Sequence, residues 1–132
     1  MDERKAVGMT VLVVEDDEDI RLAMRLALED FGYRVVEAGT GEEAVEIAWR
    51  NCPDVILMDL SLPVLDGLSA TRRIRQDPQM QEVPIVAVTA HHEAQFRANA
   101  LAAGCNAYTT KPIDFDWLHE LIGQLLPEDG NN

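Results

Sequence analysis

Short β-branched apolar runs alternate along this chain with longer stretches whose apolar residues recur at helical spacing. Val11-Leu12-Val13-Val14 is the first run, and it stops at five consecutive acids, Glu15 to Asp19. Ile20, Met24, Ala27, Leu28 and Phe31 follow, spaced for one helix face. Asp17 or Asp19 can cap that helix, and Gly32 suits its C-terminal stop. Tyr33 to Ala38 reads as a second strand. Thr40 and Glu43 form a T-x-x-E capping box for a helix carrying Ala44, Ile47 and Ala48. Asp54 to Met58 is a third strand, apolar after its first residue and so expected to be covered on both faces.

The second half repeats the rhythm. Leu62 to Gly67 reads as a loop, and residues 67 to 76 as a helix that ends at Asp77-Pro78. Pro84 opens a fourth strand, Ile85 to Val88. Residues 92 to 103 form an Ala-rich helix ended by Gly104. Ala107-Tyr108-Thr109 is a short fifth strand before Lys111-Pro112. Asp114 can cap a last helix with Phe115, Leu118, Leu121, Ile122 and Leu125 on one face. Five strands alternating with five helices predict an α/β fold, a doubly wound parallel sheet with helices on both faces. One domain over residues 10–126 is expected between polar tails at 1–9 and 127–132. In such folds ligands bind beyond the carboxyl ends of the strands, so the residues just after each strand carry the chemistry.

Composition narrows the classes. A length of 132 residues with 47% apolar side chains suits one domain with a real core. The 24 acids against 11 bases give a net charge of −13, which argues against nucleic acid as a partner. Cys52 and Cys105 do not form a disulfide framework. No apolar run reaches the ~20 residues of a membrane span, and the N-terminus lacks a signal-peptide core. A cytoplasmic domain with no membrane partner is therefore expected. Nine of the basic residues are arginine and two are lysine; Lys5 lies in the N-terminal tail, so Lys111 is the only lysine in the body of the domain. Arg72-Arg73-Ile74-Arg75 reads as a solvated helix face.

Four strand ends carry candidate chemistry. Strand one ends in Glu15-Asp16-Asp17, strand three in Asp59, strand four in Thr89-Ala90, and strand five is followed by Lys111-Pro112. Taken singly, these are cap acids, a turn former, a loop hydroxyl and a surface lysine. Taken together, carboxylates gathered at one sheet edge repel one another unless a cation neutralises them. An all-oxygen donor set favours a hard cation, Mg²⁺ (or Mn²⁺). A lysine and a hydroxyl on the same rim supply phosphate donors, which together make a phosphoryl-transfer site.

The segments VLVVEDDEDIR (11–21), DVILMDLSLPVLDG (54–67), PIVAVTA (84–90) and AGCNAYTTKP (103–112) resemble, in order and spacing, the receiver domain of the bacterial two-component response-regulator family. The resemblance covers residues 10 to about 126. It implies a CheY-like, flavodoxin-like sheet of order 2-1-3-4-5. It also implies that Asp59 is the phosphoacceptor, forming an acyl phosphate. Glu15 and Asp16 match the acidic pair that holds the metal, with Asp59 and the backbone carbonyl of Ser61 completing the protein ligands. Thr89 matches the hydroxyl that bonds the phosphoryl group, Ala90 leaves room for it, and Lys111 pairs with a phosphoryl oxygen. Asp17 is left as a cap. A cis peptide is implied before Pro112. Tyr108 matches the aromatic on strand five that turns inward when Thr89 is drawn to the phosphate. Ser61 and His91 match positions that tune autodephosphorylation, so exchanging either is expected to change the lifetime of phospho-Asp59. The resemblance implies a sensor histidine kinase or phosphotransfer protein as donor and a downstream protein as target, with the receiver a monomer or weak homodimer.

Three departures and four alternatives stand beside this reading. Thr109 and Thr110 occupy positions where apolar residues are frequent, so strand five is expected to be less buried. Ser61 and His91 are this chain's own choices at the two tuning positions. An unphosphorylated pseudo-receiver is disfavoured by the complete set of Glu15, Asp16, Asp59, Thr89 and Lys111. A receiver excised from a hybrid histidine kinase would have the same sequence pattern; the lack of an output domain after Leu126 leans towards a stand-alone regulator. A haloacid dehalogenase-type phosphatase wants a second Asp where Ser61 stands. A flavodoxin needs a Ser/Thr-rich phosphate loop where this chain has its five acids.

Overall fold

A computed structural model describes residues 8–126. Five strands, β1 (Thr10–Val14), β2 (Arg34–Ala38), β3 (Val55–Asp59), β4 (Ile85–Thr89) and β5 (Ala107–Thr110), alternate with five helices. The helices are α1 (Glu18–Asp30), α2 (Gly41–Asn51), α3 (Gly67–Ile74), α4 (Ala94–Ala103) and α5 (Phe115–Leu125), with a 3-10 turn at Pro78–Met80. All strand pairs are parallel and the order is β2-β1-β3-β4-β5, as expected. The order reverses between β1 and β3, which opens a crevice at their carboxyl ends.

The two-residue period of each central strand divides the core. Leu12, Val14, Ile56, Met58, Ile85 and Ala87 pack towards α2, α3 and α4, where Ala44, Ala48, Ala70 and Ala100 let the helices approach closely. Val11, Val13, Val55, Leu57, Val86 and Val88 pack on Met24 and Leu28 of α1 and on Leu118 and Ile122 of α5. β3 and β4 are buried along their whole length, as continuous apolar runs require. β5, at the edge, buries only Thr109, as its threonines suggested.

Aspartates start most of the helices. Asp17 Oδ1 accepts from the N–H groups of Asp19 and Ile20, and Asp66 and Asp114 cap α3 and α5 in the same way. Thr40 Oγ1 accepts from Glu43 N–H at 3.0 Å, but Glu43 reaches back to Gly39 N–H at 2.8 Å rather than to that of Thr40. The expected box is thus displaced by one residue. Gly104 ends α4 with φ of 117°, a conformation that glycine adopts without a Cβ penalty.

Several boundaries differ from expectation. Asp54 lies before β3 because its carboxylate accepts from Thr10 N–H at 2.7 Å, and the strand runs on to Asp59. α3 stops at Ile74 and α4 begins at Ala94. Ile20, assigned to a buried helix face, is 44% exposed. Met9, assigned to the tail, packs partly on the core. The rest of the tails, 1–7 with Lys5 and 127–132, lies outside the described residues.

The basic run also needs correcting. Arg72 and Arg73 are exposed, but Arg75 is not a solvated side chain. Its guanidinium donates to the carbonyls of Met80 and Val83, twice to that of Gly104, and once to Asn106 Oδ1. It fastens α3, the 3-10 turn and both strand-leading loops at the amino-terminal edge of the sheet. Among the described residues no helix is long and apolar enough to cross a membrane.

Candidate functional site

Four strands deliver polar residues to the carboxyl-terminal rim. Glu15 follows β1 and is only 2% exposed. Its N–H donates to the carbonyl of Ala38, and its Oε2 accepts from Asp17 N–H at 3.1 Å. Asp59 closes β3, also 2% exposed, and its Oδ1 accepts from Ser61 N–H at 2.9 Å. Thr89 closes β4 and is buried; Lys111 N–H donates to its carbonyl at 2.8 Å. The Lys111–Pro112 peptide is cis, as expected. This course brings Lys111 Nζ to 3.3 Å from Glu15 Oε1 and 3.4 Å from Asp59 Oδ2.

Glycine makes the rim possible on one side. A Cβ on Gly67 would meet the backbone oxygen of Asp59 at 2.3 Å. Only glycine lets the start of α3 lie against the end of β3. The loop between them carries Val64 at φ of 65°, a left-handed conformation that β-branched residues rarely adopt.

The electrostatics are unbalanced. One carboxylate oxygen each of Glu15, Asp16 and Asp59 lie within 4.8 Å of one another, with Asp16 exposed and the other two buried. Burial, and then the charge of Asp59, push the Glu15 carboxyl above the usual range, against the opposing pull of Asp17 N–H and Lys111. Burial disfavours the charged form of Lys111, but the carboxylates of Asp59 and Glu15 override it and hold the ammonium above its ordinary value. Three carboxylates facing one ammonium leave two formal negative charges, which a divalent cation matches. The donors are all oxygen, so the set fits Mg²⁺ or Mn²⁺.

Thr89 and Ser61 border this cluster, and Tyr108 lies on the neighbouring strand β5. Thr89 Oγ1 accepts from His91 N–H at 3.1 Å, which leaves the hydroxyl proton to donate elsewhere. Ser61 is exposed two residues beyond Asp59. Tyr108 pairs with Ala87 on β5, packs partly against the α2–α4 side of the core, and donates its hydroxyl to the carbonyl of His91. Sequence reasoning missed one feature beside the rim, an apolar groove of about 460 Å³ between α1 and the segment after Lys111. Ile20, Ala23, Met24, Pro112, Ile113 and Phe115 line it. Its signal was the apolar Pro112-Ile113 pair after Lys111, which no strand or helix face required.

A five-stranded 2-1-3-4-5 sheet with acids after β1, an aspartate closing β3, a hydroxyl closing β4 and a lysine after β5 defines a receiver. The family model of the response regulator receiver domain matches residues 11–123, and the chain belongs to that family. The signal transduction histidine-protein kinase BarA of Escherichia coli K12 is 38% identical over 129 residues, 98% of this chain. The chain spans only 14% of that kinase. The polar-differentiation response regulator DivK of Brucella ovis is 34% identical over 117 residues, 89% of this chain and 95% of DivK. Among solved structures, the receiver domain of sensor histidine kinase PA1611 from Pseudomonas aeruginosa is 40% identical with a TM-score of 0.84. The match covers 90% of this chain and 98% of that one, whose active-site cleft holds a coordinated magnesium ion.

Proposed function

We propose that residues 10–126 act as a cytoplasmic phosphate-accepting receiver, with Asp59 taking a phosphoryl group from a phosphohistidine on a sensor histidine kinase or phosphotransfer protein. The observation that carries this reading is the buried Asp59 carboxylate held 3.4 Å from Lys111 Nζ within a cluster of three carboxylates. An Asp59 oxygen attacks phosphorus, the phosphorus–nitrogen bond breaks, and its electron pair leaves with the donor imidazole, which takes up a proton. The product is an acyl phosphate. Lys111 pairs with an oxygen of the transferred group and Thr89 donates its hydroxyl to another. Glu15, Asp16, Asp59 and the backbone carbonyl of Ser61 are the residues that would hold Mg²⁺. The cation would supply neutralisation of the phosphoryl oxygens, and the magnesium in the PA1611 cleft supports that assignment. The groove between α1 and Phe115 suits an apolar helix face of the donor, since it opens beside Glu15 and Lys111.

The new charge then biases the domain. Moving a 1:99 equilibrium to 99:1 takes about 5.5 kcal/mol. Charge-assisted bonds from Lys111 and Thr89, about 1.5–3 kcal/mol each, supply that order of energy. Tyr108 releases the His91 carbonyl and turns inward, which remodels the surface a downstream protein reads.

The test is incubation with Mg²⁺ and acetyl phosphate, beside Asp59→Asn. Wild type is expected to gain one base-labile, hydroxylamine-sensitive phosphoryl group by intact mass, and the variant none. An unlabelled wild type would leave an interaction module without phosphate chemistry. Catalytic turnover of phosphate esters would point instead to a phosphatase.

A further inference from the structure

The link between β4 and α4 holds a contact that the phosphoryl chemistry does not use. The His91 ring lies flat on Phe96, with centroids 4.2 Å apart and planes 8° from parallel. The backbone of His91 is engaged on both sides, its N–H by Thr89 Oγ1 and its carbonyl by the Tyr108 hydroxyl. One residue therefore joins the buried threonine of the rim, the tyrosine of β5 and, through its ring, helix α4.

That helix is fastened unequally. At its C-terminal end Ala100 and Ala103 are buried, and the Gly104 carbonyl accepts two bonds from Arg75. At its N-terminal end every residue from 91 to 99 is exposed, and Glu93 at the cap position makes no side-chain cap bond. The Glu93 carboxylate stands 3.9 Å from His91 Nδ1. The first turns of α4 are thus clasped to the domain by His91.

We propose that Phe96 is a positioning residue whose stack on His91 transmits the position of Thr89 to the first turns of α4. The proposal rests on phosphate acceptance at Asp59. A threonine oxygen can donate one bond while accepting another. When Thr89 donates to a phosphoryl oxygen it therefore keeps the His91 N–H and draws that residue with it. The ring moves with its backbone, and Phe96 follows the ring.

Hydrogen–deuterium exchange on the full chain tests this, with and without Mg²⁺ and beryllofluoride, a mimic of the phosphoryl group. Wild type, Phe96→Ala and Phe96→Tyr are compared; alanine keeps helix propensity and tyrosine keeps a ring to stack. Phe96→Ala is expected to raise basal exchange of residues 94–99 by about two- to tenfold, the factor one stacked pair is worth. It is also expected to abolish most of the response of those amides to beryllofluoride. Phe96→Tyr is expected to restore both. A Phe96→Ala protein that responds as wild type does, or a Phe96→Tyr protein that behaves like Phe96→Ala, overturns the transmission alone. A wild type that does not respond to beryllofluoride at all overturns phosphate acceptance, and the transmission with it.

Discussion

Replacing Arg75 with methionine removes five hydrogen bonds while keeping most of the side-chain volume. Four of those bonds end on backbone carbonyls, those of Met80, Val83 and, twice, Gly104. A bond from a charged donor contributes about 1.5–3 kcal/mol. The simple sum overshoots, because burial already depresses the Arg75 pKa and so costs part of the gain. The half-buried site also lets water replace some of the lost donors. A net loss of about 3–5 kcal/mol remains, a large part of the ~5–15 kcal/mol that holds a domain of this size. The assay is urea unfolding followed by far-UV circular dichroism and by Trp fluorescence. Arg75→Lys is expected to recover less than half of the loss, because one ammonium cannot span acceptors that a planar fork reaches together. Arg72→Met, on the exposed face of α3 just before Arg75, is expected to stay within about 0.5 kcal/mol of wild type. An Arg75→Met protein within about 1 kcal/mol of wild type would refute the reasoning.

Other outcomes follow from the same geometry. Gly67→Ala sets a Cβ against the Asp59 carbonyl, so it is expected to cost more than about 2 kcal/mol in urea unfolding and to slow acetyl phosphate labelling of Asp59. Val64→Gly relieves a left-handed β-branched residue that is 98% exposed, and is expected to raise the unfolding free energy by about 0.5–1 kcal/mol after the entropy cost of glycine. Burial pushes the Tyr33 phenol up to about 12 from its usual 10, so the folded state holds its proton longer than the unfolded chain does. Stability contributed by that proton is complete below pH 10 and is lost as pH rises towards 12. Wild type is expected to lose about 1 kcal/mol more than Tyr33→Phe for each pH unit in that window, read by urea unfolding at stepped pH.

The fold was legible because its signals are local. The apolar runs of β1, β3 and β4 are continuous, and four of the five strands end in or run straight into polar residues. Asp17 and Asp114 cap helices where their spacing said they could. The rim was legible because chain order alone places residues after strands at one sheet edge. What stayed hidden depends on long-range partners. Arg75 looks like its neighbours Arg72 and Arg73 until Gly104 and Asn106 arrive from 29 and 31 residues away. Ile20 fits a buried helical period, yet it borders a groove whose far wall comes from Pro112 to Phe115. The His91–Phe96 stack spans five positions across a loop and a helix start, where neither helical nor strand period applies.

The charge imbalance at the rim links stability to ligand in one free energy. Burial and Asp59 hold the Glu15 carboxyl above its usual range, so its ionised form works against the fold until something neutralises it. Lys111 does part of this from 3.3 Å. A neighbouring arginine could have done the rest, but Arg21 places Nη1 on the Glu15 backbone carbonyl and Nε on Glu37, away from the rim carboxylates. The remaining two negative charges are therefore available to a cation. A ligand at a hundred times its Kd then stabilises the domain by about 2.7 kcal/mol, comparable to the Arg75 clamp at the opposite edge of the sheet. Had the rim been balanced by arginines, the fold would be firmer and the site would have nothing left with which to bind. A single compact ammonium neutralises enough charge to let the carboxylates gather, and leaves two negative charges that a divalent cation would match.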